Sequence, residues 1–173
     1  MTTSPNASPF WTFSLRLYAA KGVPAACLLL QERSGVDVNV LLFCLYAALQ
    51  NRRLDRDDVA GVVETIDDWR ADVVVPLRGV RTRLKAMRTI APAEGVAALR
   101  ERVKSVELEA ERLEQEGLFA RWPMSGLGSA DAAIARSSQD NIHAYERALG
   151  ATFDPAAVET LAAALRELKD MPA

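Results

Sequence analysis

The sequence predicts an all-α protein, a compact helical bundle of about seven helices that includes one long antiparallel helical hairpin. Three observations carry this. Wherever apolar residues are periodic they recur at spacings of three and four, and nowhere do they alternate with polar residues as a half-buried strand requires. The periodic runs are bracketed by Ser, Asp or Pro at the start and by Gly or Pro at the end, the punctuation of helices. Half of the 173 residues are apolar, enough to bury a core without disulfide or metal staples. Residues 1–8, small and polar, are expected to form a flexible N-terminus, and residues 9–173 a single helical domain.

Ser8 and Pro9 open the first helix, because Ser can accept from the orphan amides of the first turn and Pro at the first helical position gives up only a donor that has no partner there. That helix runs to about Lys21. Gly22 suits a left-handed cap and Pro24 opens the second helix, which carries Ala25 to Glu32 and stops at Ser34-Gly35. Asp37 caps the third, Val38 to about Asn51. Asp55 caps a long fourth helix with the stripe Val59, Val62, Ile66, Trp69, Val73, Leu77, Val80, Leu84 and Met87. The stripe continues past Pro76. An internal proline costs about 3 kcal/mol unless the helix bends, so a kink is expected around Val73 to Pro76.

Ala91-Pro92 turns the chain into a fifth helix, where Val96, Leu99, Val103, Val106, Ala110 and Leu113 repeat the spacing and should form the other half of the hairpin seam. Gly117 to Ser129, with Pro123 and three glycines, reads as a loop pinned by Leu118, Phe119 and Trp122. A sixth helix spans about Ala130 to Leu149 and ends at Gly150. The seventh starts at Asp154-Pro155 and presents Val158, Leu161, Leu165 and Leu168 on one face.

Composition narrows the function classes. With 21 basic against 23 acidic residues the net charge is −2, which gives no overall reason to seek nucleic acid or an anionic membrane. The most apolar stretch, Val38 to Leu49, is about a dozen residues, short of the roughly 20 of a membrane-spanning helix. The N-terminus lacks a basic segment followed by an apolar one, so a cytoplasmic location is expected. Cys27 and Cys44 lie in apolar runs and read as reduced core thiols.

Phe10-Trp11-x-Phe13-Ser14-Leu15-x-Leu17-Tyr18, Ala26-Cys27-Leu28-x-Leu30-Gln31 and Asp37-Val38-Asn39-Val40-Leu41-Leu42 resemble an uncharacterised family of small proteobacterial proteins. Trp69, Pro76-Leu77-Arg78-x-x-Arg81 and Val103-Lys104-x-x-Glu107-Leu108-x-Ala110-Glu111 continue the resemblance, which covers roughly Phe10 to Leu118. The family is a domain of unknown function. The resemblance implies a bacterial, helical, cytoplasmic protein and supplies neither an activity nor catalytic residues.

Chemistry-bearing residues are sparse. Gly126-x-Gly128 lacks the third glycine and the preceding strand of a dinucleotide site. The sole histidine, His143, follows Asp140 by three residues, and one histidine cannot build a di-iron site of the Glu-x-x-His kind. Asp67-Asp68-x-x-x-Asp72 resembles the aspartate-rich helix with which isoprenoid synthases hold magnesium and a diphosphate, and Glu107 and Glu111 are its nearest counterpart. The helical count, however, sets these aspartates on a solvated face. Arg78, Arg81, Lys85 and Arg88 share one helical face. They can form a solvated face, grip an anion or pair with the acidic fifth helix.

Lys104, Glu107, Leu108 and Glu111 form a second face of the fifth helix, off its apolar stripe, which an N-terminal helix should cover. Gln31 and Asn39 are the polar residues out of place in the early helices and are expected to be buried. Such groups require partners, so they form either a packing network or, with Trp11, Tyr18 and Glu107, a small pocket. The aromatic-rich first helix serves as a core anchor or a partner surface. The favoured reading is a non-enzymatic helical module that binds a protein partner or itself, with no cofactor. Its competitor is a binder, or a magnesium-dependent enzyme, acting on a small anionic, isoprenoid diphosphate-like substrate with Asp68, Asp72, Glu107 and Glu111 as metal ligands.

Overall fold

The computed structural model describes residues 8–86, 91–131 and 133–170. The first helix, α1 (Pro9–Tyr18), begins where the Ser8 hydroxyl accepts from Trp11 N at 3.1 Å. Gly22 at φ 86° and Gly35 at φ 69° bracket α2 (Val23–Ser34), the left-handed positions that Gly occupies without strain. Asp37 caps α3 (Val38–Leu49), accepting from Asn39 N at 2.8 Å and from Val40 N. Residues 39–48 of α3 are all buried, so this helix is the axis of the fold.

The fourth predicted helix is present as α4 (Arg56–Trp69), a π turn (Arg70–Val74) and α5 (Val75–Ala86), with no break between them. A capping box between Asp55 and Asp58 starts it. In the π turn Val75 N–H reaches back five residues to Arg70 O, just ahead of Pro76, whose ring nitrogen has no hydrogen to give. The expected kink is thus an inserted residue.

That insertion moves the seam. One extra residue turns the following face by about 100°, so the stripe predicted from constant spacing no longer points inward. Val59, Val62 and Ile66 are buried as expected; Trp69, ahead of the insertion, is 38% exposed and donates its Nε1 hydrogen to Ala110 O; beyond the insertion Val74 takes the inward position, Leu77 and Leu84 are half-buried and Val80 is 40% exposed.

The hairpin partner, α6 (Ala93–Arg121), packs along α5. Its buried positions are Glu107, Ala110, Glu114, Gln115 and Leu118. Leu99, Val106 and Leu113, expected in the seam, are 41%, 54% and 43% exposed. The helix also continues through Gly117 to Arg121, beyond the predicted stop, because Leu118 on the same face is fully buried.

A short 3₁₀ turn (Met124–Gly126) leads to one structure the periodicity missed, β1 (Arg52–Arg53) paired antiparallel with β2 (Ser129–Ala130). Gly128 makes this possible. It sits at φ +56°, and a Cβ there would come 2.3 Å from Arg53 O. The last helices are α7 (Ile134–Leu149), which starts four residues later than expected, and α8 (Pro155–Asp170), capped by Asp154.

One hydrophobic cluster joins Phe10 and Leu17 of α1, Cys27 and Leu30 of α2, most of α3, Val59 of α4, Leu118 of α6, Ile142 and Tyr145 of α7 and Leu161 of α8. Phe10 meets Phe43 edge to face at 5.3 Å between ring centroids, so α1 anchors the core. Asn141, fully buried, donates to Cys44 O and Arg52 O and accepts from Leu54 N, tying α7 to the α3–β1 corner. Among the described residues no single helix is long and apolar enough to cross a membrane.

Candidate functional site

Five helices surround a cavity of about 520 Å³. Helical spacing supplies its walls. Trp11, Ser14, Leu15 and Tyr18 lie on one face of α1, and Lys104, Glu107, Leu108, Glu111 and Gln115 on one face of α6. Leu28 and Gln31 come from α2, Val38, Asn39 and Leu42 from α3, and Arg78 and Arg81 from α5. The two arginines reach it because the π turn has rotated α5. All five residues of the predicted pocket, Trp11, Tyr18, Gln31, Asn39 and Glu107, line this one cavity.

Arg78 organises the polar side of the wall. Its Nε donates to Glu107 at 3.2 Å, Nη1 to Gln31 Oε1 at 2.9 Å and Nη2 to Glu111 at 2.8 Å. Arg81 donates to both oxygens of Glu107, a bidentate pair. Burial works to raise the Glu107 carboxyl, but the hydrogen bonds from Arg81 and Arg78 outweigh it and hold Glu107 below the usual range. For Glu111 burial wins, and its carboxyl is raised despite Arg78. Gln31, expected to be buried, is only half-buried, and its partner is Arg78. The polar face of α6 lies toward α1, as expected, with the cavity between them and its carboxylates held by the arginines of α5.

Behind the cavity lies a closed polar relay. Gln115 Nε2 donates to Asn39 Oδ1 at 2.7 Å, and Asn39 Nδ2 donates to Glu114 Oε1 at 2.9 Å. Burial, reinforced by the nearby Asp37 charge, pushes the Glu114 carboxyl up to about 8. Asp37 in turn is held by Arg70 at 3.0 Å, and its amide donates to the buried Tyr145 hydroxyl at 2.8 Å. Among the described residues Glu114 Oε2 and Gln115 Oε1 of this relay are buried without a hydrogen-bond partner. Ser14 Oγ, across the cavity on α1, is also buried without one.

The remaining predicted residues do not join this site. Lys85 is exposed and lines no wall of the cavity, and Arg88 lies outside the described residues. Asp68 and Asp72 are exposed, whereas Glu107 and Glu111 face arginines; among the described residues no group of three or more His, Cys, Asp or Glu could hold a metal ion. His143 pairs with Glu146 at 2.8 Å on the surface, and Asp140 faces Arg53 instead. Cys27 and Cys44 are buried free thiols, each pushed up to about 12 by burial, so both stay protonated and unreactive. Ser14, Gln115 and Glu114 are the site residues that residue type alone misses. The signal for the first two is positional: Ser14 lies between Trp11 and Tyr18, and Gln115 four residues beyond Glu111, on faces already polar or aromatic.

The fold and site define a small, predominantly helical protein with a mainly apolar cavity, polar on one side, held among helices. The chain belongs to the family described as "Protein of unknown function (DUF2390)", whose model matches residues 9–118. No curated protein and no solved structure matches it. Every residue lining the cavity falls within the matched span, which excludes α7 and α8.

Proposed function

We propose that this protein binds a small molecule in the cavity between α1, α2, α3, α5 and α6. The observation that carries the reading is the cavity itself, about 520 Å³ among five helices, in which Arg78, Glu107, Glu111 and Gln31 converge beside apolar Trp11, Leu15 and Leu28. The volume lies within the roughly 300–1,000 Å³ of ligand sites, and apolar walls with a few convergent polar groups are their usual chemistry. The test is a ligand-observed NMR screen of small amphipathic compounds against wild type and Ala19→Trp, which places an indole at the exposed rim. The reading expects hits that Ala19→Trp loses while its melting temperature is unchanged. Absence of hits, or hits indifferent to the substitution, would overturn it.

A second reading, self-association, rests on the displaced seam. Leu99, Val106 and Leu113 stand seven residues apart on the outer face of α6. In an antiparallel pairing with a second copy about Val106, Leu99 faces Leu113 of the other copy and Arg102 approaches its Glu109, so both shape and charge are self-complementary. Sedimentation equilibrium at rising concentration should then show a dimer that Val106→Asp abolishes; a monomer throughout would remove this reading.

A further inference from the structure

Given self-association through α6, we infer that two copies of this chain clasp each other reciprocally. The α5–α6 arm of each seats Leu99 in the groove between α4 and α6 of the other and lays its basic α5 along the other's acidic α4.

The arm stands clear of the core. Among the described residues α5 has no buried position, and α6 has none before Glu107. The contacts of α5 are with α6 and the π turn. A pair of helices standing alone leaves part of each apolar stripe open, and Val80, Leu99 and Val106 are accordingly exposed. This open side is not the cavity side. Val106 and Leu108 are two residues, about 200°, apart around α6, and of the two it is Leu108 that lines the cavity.

The open side continues into a receptor for the arm. Between α4 and α6 lies a second cavity, of about 280 Å³, walled by Ile66, Trp69, Leu113, Gly117 and Leu118, with the exposed Trp69 and Leu113 at its rim. In antiparallel pairing about Val106, Leu99 of one copy falls at Leu113 of the other, the mouth of this cavity.

Charge fixes what the neighbouring helix meets. Residues 75–106 carry eight basic residues against Glu94 and Glu101, and residues 55–72 carry seven acidic ones against Arg56 and Arg70. Arg78 and Arg81 are spent on Glu107 and Glu111. Arg83 is exposed, and on α4 so are Glu64 and Asp68, four residues apart on one face. Within one copy Arg78 reaches Glu107 and Trp69 reaches Ala110, so Val106 lies level with the start of α5. A two-fold axis there turns α5 of one copy onto residues 64–72 of the other and brings Arg83 toward Asp68 twice per dimer. An unrelated partner would have to supply both signs of charge in this order, whereas a second copy supplies them by symmetry.

Sedimentation equilibrium of Arg83→Glu, of Asp68→Arg and of their equimolar mixture tests the seating. Each variant alone sets like charges together at both contacts of the dimer and should weaken it about tenfold or more. The mixture should recover wild-type association, since in the mixed dimer one contact is wild type and the other has its charges exchanged. Neither side chain makes an ion pair among the described residues, so thermal unfolding of the dilute variants, followed by circular dichroism, should match wild type. If the wild type dimerises but the variants do not weaken it, or the mixture fails to recover, the reciprocal clasp is overturned while self-association stands. If the wild type is a monomer at every concentration, both fall.

Discussion

Glu114 shows how one side chain reports on the interior. It is buried between Asn39 and the hydrophobic surroundings of Ile66 and Leu118, and with its carboxyl raised to about 8 it carries a proton at neutral pH. In the unfolded chain it titrates near the ordinary 4.5. The folded state therefore holds more protons than the unfolded state between these values. Its contribution to stability is complete below pH 4.5 and is lost as the pH rises to about 8, at up to about 1.4 kcal/mol per pH unit. Urea denaturation from pH 5 to 8 should show this decline, and Glu114→Gln, which keeps an acceptor for Asn39, should flatten it. An identical slope in the variant would mean that another group titrates. From the sequence, Gln31 and Asn39 stand out because each is polar within an apolar setting, and Glu107 because it shares a face with Leu108 off the apolar stripe. Ser14 and Glu114 do not, since a serine between aromatics and a glutamate in an acidic helix are unremarkable until their surroundings are known.

At the scale of elements, helix number, order and most caps are legible, because Ser8, Asp37, Asp55 and Asp154 act on amides only two or three residues away. Register along the hairpin is not. Periodicity carries a stripe forward at constant pitch, and the π turn at Arg70–Val74 breaks that constancy for a reason, the missing donor of Pro76, that fixes a distortion without fixing its kind. The consequence for function is direct, since the same rotation that exposes Val80 carries Arg78 and Arg81 to Glu107. The two registers make opposite demands on mutants. Val62→Ala, at a fully buried site, should cost about 1–3 kcal/mol, whereas Leu99→Ala should stay within about 0.5 kcal/mol. Chemical denaturation checks both, and a large loss at Leu99 would restore the seam read from the spacing.

Across the whole molecule, the helices divide the work. The helices α2, α3, α4, α7 and α8, with Phe10 and Leu17 of α1 and Leu118 of α6, build the dry core, while the outward face of α1 and the polar face of α6 stand apart around the cavity. The open space among five helices, with charged and amide groups gathered beside apolar walls, is the reason to treat it as a binding site. Its central claim is tested most directly by a two-dimensional ¹H–¹⁵N spectrum of the ¹⁵N-labelled protein titrated with the tightest compound from the screen. The account predicts saturable shifts at the Trp11 indole and at the Gln31 and Gln115 side-chain amides, with His143 and the α8 amides unmoved. Shifts confined to other surfaces, with these three groups unchanged at saturation, would contradict it.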